Sequence, residues 1–170
     1  MYTLGILTAS DTGAAGKRQD LSGMAIAEIL CASGFEKMRY AMVPDERDVI
    51  AVYLRKWSDE DGLDLILTTG GTGLSPRDVT PEATLDVIDR EVPGLSEAIR
   101  AETSRKNLMA IISRGRSGIR GKTLIVNLPG SEKAVRECLE AIKPVLPHAI
   151  DILTGKASQQ HPAASGRHGG

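Results

Sequence analysis

The sequence predicts an α/β fold in which a mostly parallel sheet is covered on both faces by helices. Three observations carry this. Short apolar runs alternate with longer segments of helical periodicity, the order expected of repeated strand–helix units. Runs such as Leu65-Ile66-Leu67 have no polar side, as strands buried on both faces require. Polar or glycine-rich turns follow directly on several of these runs, at the strand ends where open α/β sheets hold their ligands.

Each element has its own signal. Leu4–Ala9 reads as the first strand, and Leu21–Ser33 as a helix closed by Gly34, a residue suited to a left-handed C-terminal cap. Lys37–Val43 is the second strand. Asp45–Ser58 is a helix whose Ile50, Tyr53, Leu54 and Trp57 recur at i, i+3, i+4 and i+7. Leu63–Thr68 is the third strand. Pro81–Ile88 and Gly94–Lys106 are helices parted by Pro93, and Ala110–Ser113 and Thr123–Val126 read as further strands. Val135, Cys138, Leu139 and Ile142 form a helical stripe, and Pro144–Leu153 is the last helix. These elements make one domain over 1–155. From Lys156 the periodic apolar pattern stops, and 156–170 is expected to be a disordered C-terminal tail holding His161 and His168.

Composition excludes several function classes. The chain has 170 residues, 41% of them hydrophobic, enough for one well-buried domain. A net charge of −1 gives no global attraction to nucleic acid or anionic membranes, and 3% aromatic content leaves no platform for stacking bases. No stretch approaches the ~20 apolar residues of a membrane span, and the N-terminus lacks a basic region followed by a long apolar run. A cytoplasmic protein is expected. Cys31 and Cys138 fall on helical stripes with no Cys or His partner at metal-ligand spacing, so both are expected to be reduced, buried thiols. His148, in the last helix, reads as a structural histidine.

The most informative segment is Leu63 to Thr84. An apolar run ends in Gly70, Gly71 and Gly73, which let bare N–H groups approach a ligand. A helix start follows, with Thr80 as N-cap, Pro81 at the first position, and Glu82 and Asp86 in or near the first turn. Strand, glycine loop and helix N-terminus together suit phosphate. Asp78 stands at the mouth of that loop, where a carboxylate conflicts with phosphate unless a metal ion is bound as well. Ser10-Asp11, Pro44-Asp45, Thr69–Gly73 and Asn127–Gly130 all follow strand ends and are expected to converge on one edge of the sheet.

No histidine, cysteine or lysine lies in those four motifs, so they offer no familiar nucleophile or neutral-pH base. They offer the carboxylates of Asp11, Asp45 and Asp78 and the hydroxyls of Ser10, Thr72, Ser75 and Thr80. Hard oxygen ligands beside a phosphate cradle suit Mg²⁺, which completes its shell with substrate phosphates and water. An attacking phosphate is already ionised and needs no base, which fits phosphoryl or nucleotidyl transfer. Asp45 also stands where a helix N-cap would, and it can serve both ends. Ser113–Lys122 carries four basic residues and no acid, and reads equally as a solvated turn or an anion site. Its Gly115…Gly121-Lys122-Thr123 is one residue too long for a Walker loop.

Thr69-Gly-Gly-Thr-Gly-Leu-Ser-Pro-Arg-Asp-Val-Thr-Pro-Glu-Ala-Thr84, with Ser10-Asp11, Val43-Pro44-Asp45-Glu46 and Asn127-Leu128-Pro129-Gly130-Ser131 in the same order, resembles the signature of the molybdenum-cofactor biosynthesis family. That family includes the molybdopterin adenylyltransferases and the G domain of gephyrin, and the resemblance spans Tyr2 to Gly155. It implies a three-layer α/β/α sandwich, commonly a trimer or a hexamer of trimers. It also implies transfer of the adenylyl group of ATP, with Mg²⁺, onto the terminal phosphate of molybdopterin, releasing pyrophosphate ahead of a metal-insertion protein. By motif position, Asp45 and Asp78 correspond to catalytic, Mg²⁺-linked carboxylates. Ser10, Asp11, Thr72, Ser113 and Asn127 correspond to contacts with pterin or nucleotide, and Gly70, Gly71, Gly73, Pro129, Gly130 and Ser131 to the backbone cradle. The competing reading is a molybdopterin-binding or scaffold protein without turnover. A third, an amidase-associated domain of similar fold, would normally belong to a longer chain.

Overall fold

A computed structural model describes residues 1–156. The strands are β1 (Tyr2–Ala9), β2 (Phe35–Val43), β3 (Leu65–Thr69), β4 (Arg90–Glu91), β5 (Ser117–Arg120) and β6 (Thr123–Leu128). They form one sheet in the order β2-β1-β3-β6-β5-β4. The first four in that order are mutually parallel, while β5 and β4 add antiparallel at one edge. The helices are α1 (Asp11–Ala14), α2 (Leu21–Cys31), α3 (Arg47–Asp59), α4 (Thr80–Leu85), α5 (Pro93–Ser104), α6 (Glu132–Ile142) and α7 (Leu146–Thr154), with 3₁₀ turns at Leu108–Ile112 and Lys143–Val145.

The central strands carry apolar residues on both faces because each face meets its own core. Leu4 and Ile6 of β1, Leu65 and Leu67 of β3, and Leu124 and Val126 of β6 pack beneath α2, α5, α6 and α7. The alternate residues Leu7, Ile66 and Ile125 point the other way, into a second cluster with Ile50, Leu54 and Trp57 of α3 and Ala83 of α4. This is the helix–sheet–helix layering expected. Gly5 makes room for it: a Cβ there would come within 2.8 Å of Leu63 and 2.9 Å of Trp57.

Several sequence expectations need correction. Ala110–Ser113 is no strand. It lies at the end of the 3₁₀ turn Leu108–Ile112, capped by the Asn107 side chain, which accepts from the Met109 N–H at 3.1 Å. None of that turn's residues is buried, so its apolar character serves a surface and not the sheet. The strand in this region is β5, inside the basic segment read as a turn or an anion site. Gly121, with φ of +55°, turns it into β6. Thr80 is the first residue of α4, not its cap, since Val79 precedes it without a side-chain bond. Asp45 is not a cap either: α3 starts after Glu46, and the Asp45 carboxylate bonds elsewhere. Cys138 is buried, and burial pushes its thiol pKa up to about 12, but Cys31 is exposed at the end of α2. His148 is exposed on α7. The expectation of a tail concerns residues outside those described, apart from Lys156, whose ammonium lies 5.6 Å from the centre of the Tyr2 ring.

Candidate active site

Parallel pairing of β1, β2, β3 and β6 brings their carboxyl ends to one edge, and backbone bonds lock the loops together there. The Gly70 N–H donates to the Leu128 carbonyl at 3.1 Å, and the Thr69 hydroxyl to the Pro129 carbonyl at 2.7 Å. Gly70 has φ of +93°, and a Cβ on it would collide with the carbonyl oxygen of Ala9, so β1, β3 and β6 converge this closely only around a glycine. Gly71, at φ of +66°, passes just as tightly over the Thr80 hydroxyl. That hydroxyl is buried and has no hydrogen-bond partner among the described residues. The Ser22 hydroxyl donates to the Gly130 carbonyl at 2.7 Å, fixing the β6 loop to α2.

Asp11 and Asp45, at the ends of β1 and β2, are coupled through their backbones. The Asp11 N–H donates to the Asp45 carboxylate and the Asp45 N–H to the Asp11 carboxylate, both at 3.0 Å. Arg77 closes the other side of Asp11 with two bonds of 3.0 and 2.8 Å. The consequences for the two acids are opposite. The Arg77 bonds, helped by the Asp45 N–H, hold Asp11 below the usual carboxylate range. Burial pushes Asp45 above it, and the charges of Asp11 and Asp78 add to the rise, which the Asp11 N–H opposes. Asp78 is fixed by the Ser75 N–H, which donates to one carboxylate oxygen at 2.9 Å.

Two compartments flank this junction. One, of about 440 Å³, has Ile99, Met109, Ile112, Ala134 and Cys138 among its walls, with Thr72, Gly73, Ser113 and Pro129. The other, of about 270 Å³, is more polar and includes Ser10, Arg18, Asp20, Asp45 and Gly70. Gly71, Asp78, Gly130 and Ser131 border both. The expected site residues are therefore brought together, with distinctions. Asp11 lines neither compartment and reaches the site through Asp45. The hydroxyls of Ser10 and Ser131 cap α1 and α6. The Asn127 amide is spent inside the fold: it donates to Thr68 and Thr84, both at 2.9 Å, and accepts from the Arg116 N–H at 3.0 Å.

Sequence reasoning missed the arginines that hold this edge. Arg114 donates to the carbonyls of Gly73 at 2.8 Å and Asp78 at 2.6 Å, and pairs with Glu82 of α4. It thus ties the glycine loop, Asp78 and the helix start into one unit. The basic segment containing it is visible in the sequence, but the partners of its arginines are not: Arg116 pairs with Glu91 and Arg120 with Asp59.

The sequence matches the family model described as "Probable molybdopterin binding domain" over residues 5–148. It is 45% identical to the molybdopterin adenylyltransferase of Helicobacter pylori J99 across 92% of this chain and 90% of that protein. It is 47% identical to the molybdenum cofactor synthesis protein cinnamon of Drosophila melanogaster across 89% of this chain, which spans 25% of that longer protein. The fold is similar to that of the molybdopterin biosynthesis enzyme MoaB from Thermus thermophilus, with a TM-score of 0.87, 57% identity, and coverage of 91% of this chain and 98% of that one.

Proposed function

The chain belongs to the molybdopterin-binding domain family of molybdenum-cofactor biosynthesis, and from that premise we propose that it transfers the adenylyl group of ATP to molybdopterin. The observation that carries this reading is the pair of half-buried carboxylates, Asp45 and Asp78, on a glycine cradle between an apolar and a polar compartment. An apolar compartment suits a planar heterocycle and a polar one suits phosphates. Gly71, Asp78 and Gly130, on the shared wall, are where the two substrates would meet.

In this reading a phosphate oxygen of molybdopterin attacks the α-phosphorus of ATP. The bond from that phosphorus to the bridging oxygen breaks, and its electron pair leaves with pyrophosphate. No proton needs removing, which agrees with a site whose walls, among the described residues, hold no histidine or lysine. What the protein must supply is alignment. Gly70, Gly71, Gly73 and Gly130 let backbone and phosphate approach, Thr72 and Ser113 face the larger compartment, and Pro129 and Ser131 shape the β6 loop. Asp11 positions Asp45 through the reciprocal backbone bonds, and Asn127 braces the loop from within.

The donor set fits Mg²⁺. Among the described residues no group of three or more His, Cys, Asp or Glu could hold a metal alone, while two carboxylates with substrate phosphates and water match the usual Mg²⁺ shell. Asp45, raised by burial and by its acidic neighbours, is a carboxylate that a cation would relieve. When bound, the metal supplies neutralisation of the charge that builds on the departing pyrophosphate.

Among the described residues no helix is long and apolar enough to cross a membrane. The exposed Leu108, Met109 and Ile111 beside the larger compartment favour association of copies as a homotrimer or hexamer. The test of function is direct: the protein is incubated with ATP, Mg²⁺ and molybdopterin, and pyrophosphate and adenylylated pterin are measured. Both are expected. Tight molybdopterin binding with no AMP transfer would overturn the reading in favour of a non-catalytic binding protein.

A further inference from the structure

The arginines around the site are almost all consumed by the protein. Arg77 is held by Asp11, Arg114 by Glu82 and two carbonyls, and Arg100 by the carbonyls of Ser113 and Gly115. Arg18 differs. It is exposed on the loop between α1 and α2, and it is the one cationic residue among the described walls of the polar compartment. Asp20, Asp45, Asp78 and Glu132 line the same space, yet among the described residues the Arg18 side chain has no hydrogen bond or ion pair with any of them.

The reason is visible next door. Asp20, the nearest acid in sequence, is saturated: it accepts from the Thr8 hydroxyl at 2.6 Å, the Tyr40 hydroxyl at 2.8 Å and the Gly23 N–H at 2.8 Å. Those bonds pin the loop two residues from Arg18 while leaving its guanidinium unclaimed. The loop's other side is fixed by the Lys17 N–H, which donates to the Thr12 carbonyl at 3.0 Å. An unpartnered guanidinium on a pinned loop, facing a compartment with four carboxylates, is placed for an incoming anion that those carboxylates would otherwise repel.

We propose that Arg18 binds the β- and γ-phosphates of the nucleotide, the part that leaves as pyrophosphate. This rests on the adenylyl-transfer reading for the identity of the anion. The guanidinium fork can donate two parallel N–H bonds to phosphate oxygens, a geometry that an ammonium does not reproduce. Arg18 thereby distinguishes a triphosphate from AMP, which lacks those groups, and contributes nothing to molybdopterin affinity.

The test uses the full chain and its Arg18→Gln and Arg18→Lys variants. Calorimetry with magnesium pyrophosphate as the probe gives the affinity of the anion site without turnover. Pyrophosphate release gives KM for ATP and kcat, and fluorescence titration gives molybdopterin affinity. Loss of charge-assisted bonds predicts that Arg18→Gln weakens pyrophosphate binding and raises KM for ATP by roughly 10- to 100-fold, with Arg18→Lys recovering part of the loss. Thermal midpoint and molybdopterin affinity stay at the wild-type values. Wild-type-like pyrophosphate affinity in Arg18→Gln, no pyrophosphate binding by the wild type, or a loss of molybdopterin affinity instead, each overturns the assignment. If the wild type binds pyrophosphate through Arg18 but never transfers AMP, the anion site stands and the transfer reading fails.

Discussion

Asp11 and Asp45 each accept the other's backbone N–H, at 3.0 Å in both directions, so the ends of β1 and β2 are tied by a reciprocal pair of charge-assisted bonds. The arrangement is asymmetric in its electrostatics. Arg77 neutralises Asp11, while Asp45 faces inward with no cation of its own among the described residues. One acid is structural and the other is left charged and under-compensated beside Asp78.

That asymmetry makes Asp45→Asn informative. The amide oxygen can still accept the Asp11 N–H, so the fold persists. If the carboxylate acts where charge moves onto pyrophosphate, turnover falls by roughly 10²–10³ while molybdopterin affinity holds. Stability moves the other way. Because the folded pKa of Asp45 lies above its ordinary value of 3.8, the native state binds the proton more tightly than the unfolded chain, and folding loses stability as pH rises through that window. Asp45→Asn should therefore melt higher than wild type at neutral pH, with the gap shrinking as pH falls towards 3.8. Equal melting temperatures at neutral pH, or retained transfer, would count against this account.

Asp11 has the opposite sign. Its folded pKa is depressed, chiefly by the Arg77 bonds, so its contribution is present above the ordinary value of 3.8 and is lost as pH falls through the lower folded value. Arg77→Ala should raise the Asp11 titration midpoint, followed by carboxyl NMR, and should lower kcat by misplacing Asp45. An unmoved Asp11 titration would show that the Asp45 N–H alone sets it.

Arg114→Ala removes the tie among Gly73, Asp78 and Glu82. With bonds to two loop carbonyls and a carboxylate gone, a loss of about 1.5–3 kcal/mol in unfolding free energy is expected. Arg114→Lys should recover little, since one ammonium cannot span the three acceptors. Denaturant titration of both variants measures this, and full recovery by lysine would sink the clamp.

Gly70→Ala tests the convergence of the three strands. A left-handed alanine costs about 1–2 kcal/mol, and the overlap with the Ala9 carbonyl adds roughly 1–3 kcal/mol. The midpoint of unfolding should fall accordingly. A variant as stable as wild type would mean that the β1 and β3 ends are not this close.

The central strands are legible in the sequence because both their faces are buried, which leaves a continuous apolar run with no competing explanation. Ala110–Ser113 misleads for the same reason: apolar residues bordering a cleft look in one dimension like residues bound for the core. Ser117–Arg120 misleads in reverse, because its one arginine, Arg120, pairs with Asp59, an acid far away in the chain. The glycine loop and its acids can be found from local order alone. The residues that hold them, Arg77 to Asp11 across 66 positions and Arg114 to Glu82 across 32, depend on topology that no local pattern carries.

Asn127 separates a residue that builds the site from one that touches the ligand. Its motif position implies a substrate contact, and it borders the larger compartment, yet its amide oxygen and nitrogen are engaged with Arg116, Thr68 and Thr84 inside the fold. Asn127→Ala would remove the acceptor of the Arg116 N–H and the donor to the buried Thr68 and Thr84 hydroxyls, of which Thr84 keeps its own bond to the Thr80 carbonyl, at about 1–3 kcal/mol for each buried group left unsatisfied. Asn127→Asp should be worse, because an acceptor-only carboxylate replaces the donor that the two threonine oxygens receive and brings a charge to a residue only 3% exposed. Both variants should melt well below wild type. At a temperature where they remain folded, molybdopterin affinity per folded molecule should be close to that of wild type, since both amide N–H donors are already engaged inside the fold. A variant of unchanged stability that fails to bind molybdopterin would return Asn127 to the ligand and show that its amide turns outward when substrate arrives.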